Sequence, residues 1–144
     1  DAIVVDAGPG DGDSVPKVLE KADFVLAVTT PDTAAVMDIY SALKWSLGSS
    51  HKLPHPPELF VNRADSGEVA QDVFDRIDRS CRRFLGWSTL LAGYAGSETR
   101  FEKPTNEDSP GDRYVPYRSI DEACERIVGR WLEQWQPGNL PRAA

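Results

Sequence analysis

The chain has 144 residues, with 16 Lys and Arg against 23 Asp and Glu and a formal net charge of −7. That acidity argues against nonspecific binding to nucleic acid or to an anionic membrane surface. Length, 40% hydrophobic and 27% charged residues suit one globular domain, and no apolar run approaches the ~20 residues of a membrane-spanning helix.

In chain order, Ile3 to Val5 reads as a strand buried on both faces, ending in Asp6 and a glycine-rich turn from Gly8 to Gly12. A carboxylate there would lie at the carboxyl end of a strand, where α/β sheets bind ligands. Mg²⁺ takes only one or two carboxylates, so Asp6 suffices for a Mg²⁺-nucleotide site. An equally good reading of these residues is a tight turn capped by Asp6. Asp13 or Ser14 caps a short helix that buries Val15, Val18, Leu19 and Ala22. Phe24 to Val28 is a second buried strand. Thr29-Thr30-Pro31-Asp32 then turns into a helix, with Thr30 as N-cap and Pro31 at the first helical position. Val36, Ile39, Tyr40, Leu43 and Leu47 recur at helical spacing.

After a proline-rich loop, in which His51 and His55 read as exposed, Leu59 to Val61 forms a third strand and leads into Asn62-Arg63. Ser66 caps a helix that Gly86 stops near Leu85. Its apolar stripe is Val69, Val73, Phe74, Ile77, Cys81, Phe84 and Leu85, and Asp72, Asp75, Arg76, Asp78, Arg79, Arg82 and Arg83 form the wet face. Thr89 to Ala92 is a fourth strand. Residues 93–117 form a long polar loop, unusual in a compact domain. A last helix runs from about Ser119 to Trp135, with Ile120, Cys124, Ile127, Val128, Trp131 and Trp135 on one face. Cys81 and Cys124 are expected as buried free thiols, as in a reducing cytoplasm. The chain opens within a strand and its sole Met is Met37, so a piece of a longer protein is expected. Alternating strands and helices imply an α/β fold: three layers, a mostly parallel sheet and flanking helices.

Several stretches together resemble the MinD/ParA family of P-loop ATPases, and within it the FlhG branch, which controls flagellar number and placement. The match covers roughly residues 1–92 and, more loosely, the final helix. Asp1, Asp6, Gly8 and Gly10 resemble the family's Walker B strand and switch, Asp-x4-Asp-x-Gly-x-Gly. Ala22-Asp23, Val28-Thr29-Thr30-Pro31-Asp32 and Ala35-Val36-Met37-Asp38-Ile39-Tyr40 resemble its next strand and helix. Val61-Asn62-Arg63 resembles its Val-Asn-Arg strand end. The resemblance implies that Asp6 holds Mg²⁺ through a water and Gly8 senses the γ-phosphate. Asn62 would bond the adenine edge beside Arg63, and Gly10 and Pro31 would complete the cofactor side. It implies ATP and Mg²⁺ as cofactors, a homodimer, a protein partner and a cytoplasmic location, with contact to the inner membrane left open.

The departures also carry expectations. The chain holds no Gly-x-x-x-x-Gly-Lys-[Ser/Thr] motif or Gly-Gly-x-Gly-Lys variant, so the P-loop part of the fold is lacking. Residues 1–136 are then a partial nucleotide-binding domain and 137–144 a tail. ATPase activity would require the P-loop from upstream. In this family the P-loop strand lies between the Walker B strand and the Val-Thr-Thr-Pro strand. The strand at Ile3 would therefore lack its neighbour, and the piece should rearrange or pair with another copy. Ala92 to Glu98 matches the family's next segment only loosely. The alternative is a nucleotide-free protein-interaction module of the same fold, using the charged helix from Arg76 to Arg83 and the acidic stretch 106–112 as surfaces.

Overall fold

The computed structural model describes residues 3–8, 15–47, 53, 55–96 and 115–134. Its elements are α1 (Val15–Leu19), β1 (Leu26–Thr29), α2 (Thr33–Leu47), β2 (Glu58–Val61), α3 (Gly67–Phe84), β3 (Leu90–Tyr94) and α4 (Val115–Gln134). The strands form one open parallel sheet in the order β1-β2-β3. Helices α2 and α3 pack on one side of it and α4 packs on β3. The architecture is the layered α/β fold that the alternation implied.

Register divides the strand residues between two faces. Ala27, Leu59 and Leu91 stand in one row, and Thr29, Val61 and Tyr94 in the next but one. This face meets Val36 and Leu43 of α2 and Ala70, Val73, Ile77 and Cys81 of α3 in a single core cluster. Helix α3 is built as its sequence says. The Ser66 hydroxyl accepts the Val69 N–H at 3.3 Å. At the other end the Leu85 and Gly86 N–H groups both donate to the Cys81 carbonyl. Gly86 has φ +78°, a left-handed conformation that suits glycine.

The other face carries Leu26, Glu58 and Leu90 in one row and Val28, Phe60 and Gly93 in another. An irregularity after Leu59 lets Ala92 slip past the pairing and brings Gly93 opposite Phe60. Helix α4 sits on Gly93 so closely that a Cβ there would stand 2.7 Å from the Ala123 Cβ. Gly93→Ala is therefore expected to cost about 1–3 kcal/mol by overpacking. A urea midpoint unchanged from wild type would show that α4 moves aside freely.

The structure corrects several expectations. Ile3 to Val5 is not a strand: it joins no sheet, and Val4 is 95% exposed. Parallel strands need a neighbour for their N–H and C=O groups, and here none is beside it. β1 remains an open edge, and Val28 on the α4 side is 54% exposed because α4 lies over β3. The second strand begins at Leu26 rather than Phe24, and β3 spans Leu90–Tyr94 rather than 89–92. Helix α2 starts at Thr33, so Asp32 rather than Thr30 holds the N-cap position: the Asp32 carbonyl accepts the Val36 N–H at 3.0 Å. Pro31 belongs to the turn before the helix. Val69 and Phe84 of the α3 stripe are exposed, while Asp78, assigned to the wet face, is buried. Among the α4 residues whose burial is described, Ala123 is buried, and Cys124 is exposed. Helix α4 begins at Val115, inside the expected loop, and residues 97–114 lie outside the described set, as do 137–144.

Candidate functional site at the carboxyl ends of the strands

The three strands point the same way, so their carboxyl ends and the turns after them share one rim. Backbone bonds tie those turns together. The Asn62 N–H donates to the Thr29 carbonyl at 2.8 Å, and the Ala95 N–H to the Val61 carbonyl at 3.0 Å. The Ala64 N–H then donates to the Ala95 carbonyl at 2.8 Å. The ladder thus continues past the last strand residue and holds Thr29, Asn62 and Ala95 side by side. Such a rim is where open α/β sheets receive ligands.

Each turn supplies different chemistry. After β1, the Thr30 hydroxyl donates to Asp32 Oδ2 at 3.0 Å, bracing Pro31 between them at the start of α2. After β2, Asn62 Oδ1 accepts the Arg63 N–H at 2.9 Å. That bond takes one lone pair of the oxygen, so Asn62 offers a ligand its amide NH₂ as donor and the second lone pair as acceptor. Arg63 has φ +58°, the sole positive φ outside glycine among the described residues. A left-handed non-glycine residue costs roughly 1–2 kcal/mol, and the ladder on either side of the turn holds it there. Both side chains are exposed. At the end of β3, the Tyr94 ring lies against Gly67 in the first turn of α3, where a Cβ would be 3.5 Å from the phenol oxygen. Neither Tyr94 nor Gly67 was singled out from the sequence, and the glycine at a helix start was the available signal.

Asp6 and Gly8 lie on the exposed segment outside the sheet. The Gly8 N–H donates to Asp6 Oδ1 at 2.9 Å, and Gly8 has φ +72°, closing a local turn. One carboxylate oxygen of Asp6 therefore remains for a hydrated cation. Gly10 lies outside the described residues. The structure thus brings Pro31, Asn62 and Arg63 onto one rim, and keeps Asp6 and Gly8 together on a separate segment.

Among the described residues no three His, Cys, Asp or Glu side chains come together to hold a metal by themselves. Cys81 is fully buried, and burial together with the Asp78 charge pushes its thiol up to about 11. Almost none is thiolate at neutral pH, so it offers no nucleophile. No helix among the described residues is long and apolar enough to cross a membrane.

No protein-family model matches the chain. Two characterised proteins do. The chain is 46% identical over 145 aligned positions to the flagellum site-determining protein YlxH of Helicobacter pylori, covering 97% of this chain and 47% of that protein. It is 24% identical over 142 positions to the antiactivator FleN of Pseudomonas aeruginosa, covering 99% of this chain and 50% of that protein. The chain spans about half the length of each. With the strand-turn-helix order and the layered parallel sheet in place, the chain is a homologue of the flagellum site-determining protein YlxH and the antiactivator FleN, matched along about half the length of each, in keeping with the MinD/ParA resemblance of its motifs.

Proposed function

We propose that the chain is the base-side and switch portion of an ATP-Mg²⁺-dependent regulator of flagellar number or placement. Residues 1–136 would form one partial nucleotide-binding domain. The observation that carries this reading is the Asn62-Arg63 turn, locked by the ladder to Thr29 and Ala95 with Arg63 at φ +58°. An amide beside a guanidinium fits a purine edge and face, and the backbone turn that carries both is preset rather than ordered on binding. Asp6 fits the metal end, since Mg²⁺ keeps most of its waters and needs few carboxylates. Gly8 and Gly10 would stand near the γ-phosphate, and Pro31 would shape the cofactor side of the rim. The residues present fit the base and the cation but include no P-loop to cradle the phosphates. Bound Mg²⁺ would neutralise charge on the transferring phosphoryl group, and the chain's own residues would orient the base. In this reading the intact protein is a cytoplasmic homodimer that releases a protein partner on hydrolysis.

Calorimetry with Mg-ATP tests the reading. This chain should bind weakly or not at all, and a chain extended upstream should bind. In the extended chain Asn62→Ala should weaken binding about tenfold, the value of one good hydrogen bond to a ligand. Failure of the extended chain to bind ends the ATPase reading. It would favour the alternative, a nucleotide-free interaction module.

A further inference from the structure

The four basic residues of α3 all fall in its second half, Arg76, Arg79, Arg82 and Arg83. Arg82 is committed, its Nε donating to Asp78 Oδ2 at 2.6 Å. Arg76 reaches Asp72 only at 3.8 Å, with both side chains well exposed, a geometry worth little in water. Arg79 and Arg83 meet no carboxylate among the described residues. Instead the Arg83 guanidinium lies 5.2 Å from the centroid of the Phe84 ring, and Phe84 is 64% exposed.

Helical spacing puts Arg76, Arg79 and Arg83 along one outward flank, and the Phe84 ring borders it through its contact with Arg83. The helix dipole accounts for cations in the last turn but fades beyond it, so it does not explain Arg76 or Arg79. Nor does it explain an aromatic ring left in water at the edge of that patch. Lys44, exposed in the last turn of α2, stands at the same end of the adjoining helix, because both helices run antiparallel to the strands. Asp72 and Asp75 share the amino-terminal part of this flank, so the cationic, aromatic surface is confined to its carboxyl-terminal turns, on a chain of net charge −7.

We propose that this flank docks an acidic protein segment carrying an apolar residue. Its carboxylates would pair with Arg76, Arg79 and Arg83, and its apolar side chain would cover the Phe84 ring. Charge complementarity selects the sign of the partner, and the ring supplies the apolar contact that long-range steering lacks. A nucleic acid fits less well, because the rest of the chain repels a long polyanion. The helix spans about 27 Å at its usual rise, and its amino end, not this one, lies at the rim. Occupation of the flank therefore need not displace nucleotide, and the proposal stands or falls independently of ATP binding.

The test is fluorescence anisotropy of the purified chain with a short labelled peptide of glutamates around one leucine, without nucleotide. At low salt the peptide should bind. Arg79→Glu, Arg83→Glu and Phe84→Ala should each weaken it about fivefold or more, as should leucine-to-glycine replacement in the peptide. Lys17→Glu, an equal charge change on α1, should have little effect. These side chains are exposed, so circular dichroism and the melting midpoint should stay at wild-type values. Arg83→Gln replaces Arg83→Glu if the latter lowers the midpoint. No peptide binding, equal loss in Lys17→Glu, unchanged binding in the α3 variants, or tighter binding of duplex DNA than of the peptide would each overturn the proposal.

Discussion

Arg130→Ala is expected to destabilise the fold by about 3–5 kcal/mol, read as a lower urea midpoint with little change in slope. Glu58 opens β2 with a side chain only 2% exposed. Arg130 of α4 embraces it through two bonds, Nε to Oε1 at 2.6 Å and Nη2 to Oε2. Removing the guanidinium leaves a buried carboxylate whose desolvation is no longer offset by a counter-charge. The double replacement Glu58→Leu with Arg130→Leu should recover most of the loss, because neither charge is then buried. A double variant as unstable as Arg130→Ala would show that the pair matters for packing rather than for charge.

Asp78→Ala is expected to cost about 2–3 kcal/mol. Asp78 Oδ1 accepts both the Thr89 N–H at 2.8 Å and the Thr89 hydroxyl at 3.2 Å, joining α3 to the entrance of β3. Thr89 is buried, so alanine leaves two donors without acceptors or water. The bond to Arg82 adds less, since that side chain is 65% exposed and screened. Burial alone would push the Asp78 carboxyl up. The Thr89 N–H, the Arg82 guanidinium and the Thr89 hydroxyl outweigh burial and hold it below the ordinary carboxylate range. A depressed carboxyl stabilises the fold fully above its unfolded value of ~3.9, and that stabilisation is lost as pH falls through the folded value. The gap between wild type and Asp78→Ala should therefore be constant near neutral pH and shrink in strong acid. Urea titrations at neutral pH and at about pH 3 measure it. A gap that widens in acid would contradict the assignment.

Both predictions concern residues that the sequence reading passed over or misplaced, and the reason is physical. Asp78 lies among Asp75, Arg76 and Arg79, and a hydropathy pattern assigns such a run to water. Its partner is eleven residues away on another element. Arg130 and Glu58 are 72 residues apart, and neither has a neighbour that betrays the pairing. The apolar pattern of α4 pointed to Cys124, yet Ala123 faces the sheet. The closeness of Gly93 admits only a methyl group, and the Glu58 carboxylate draws Arg130 to the same side.

The candidate site divides along the same line. That Asn62, Arg63 and Pro31 follow strand ends was legible because strand end, turn and helix start are neighbours in the chain, while a cofactor role for them came only from the family resemblance. That the three turns are laced into one rim depends on bonds between separate strands.

What the chain determined by itself is local. The bounds of α3 follow from Ser66 and Gly86, its buried stripe from the spacing of Val73, Ile77 and Cys81, and the parallel α/β order from alternating elements. Only the tertiary structure decided whether Ile3 to Val5 is a strand and which side of α4 meets the sheet. An apolar segment becomes a strand when another backbone takes its hydrogen bonds, and a helix turns toward whatever charge and space its neighbour presents.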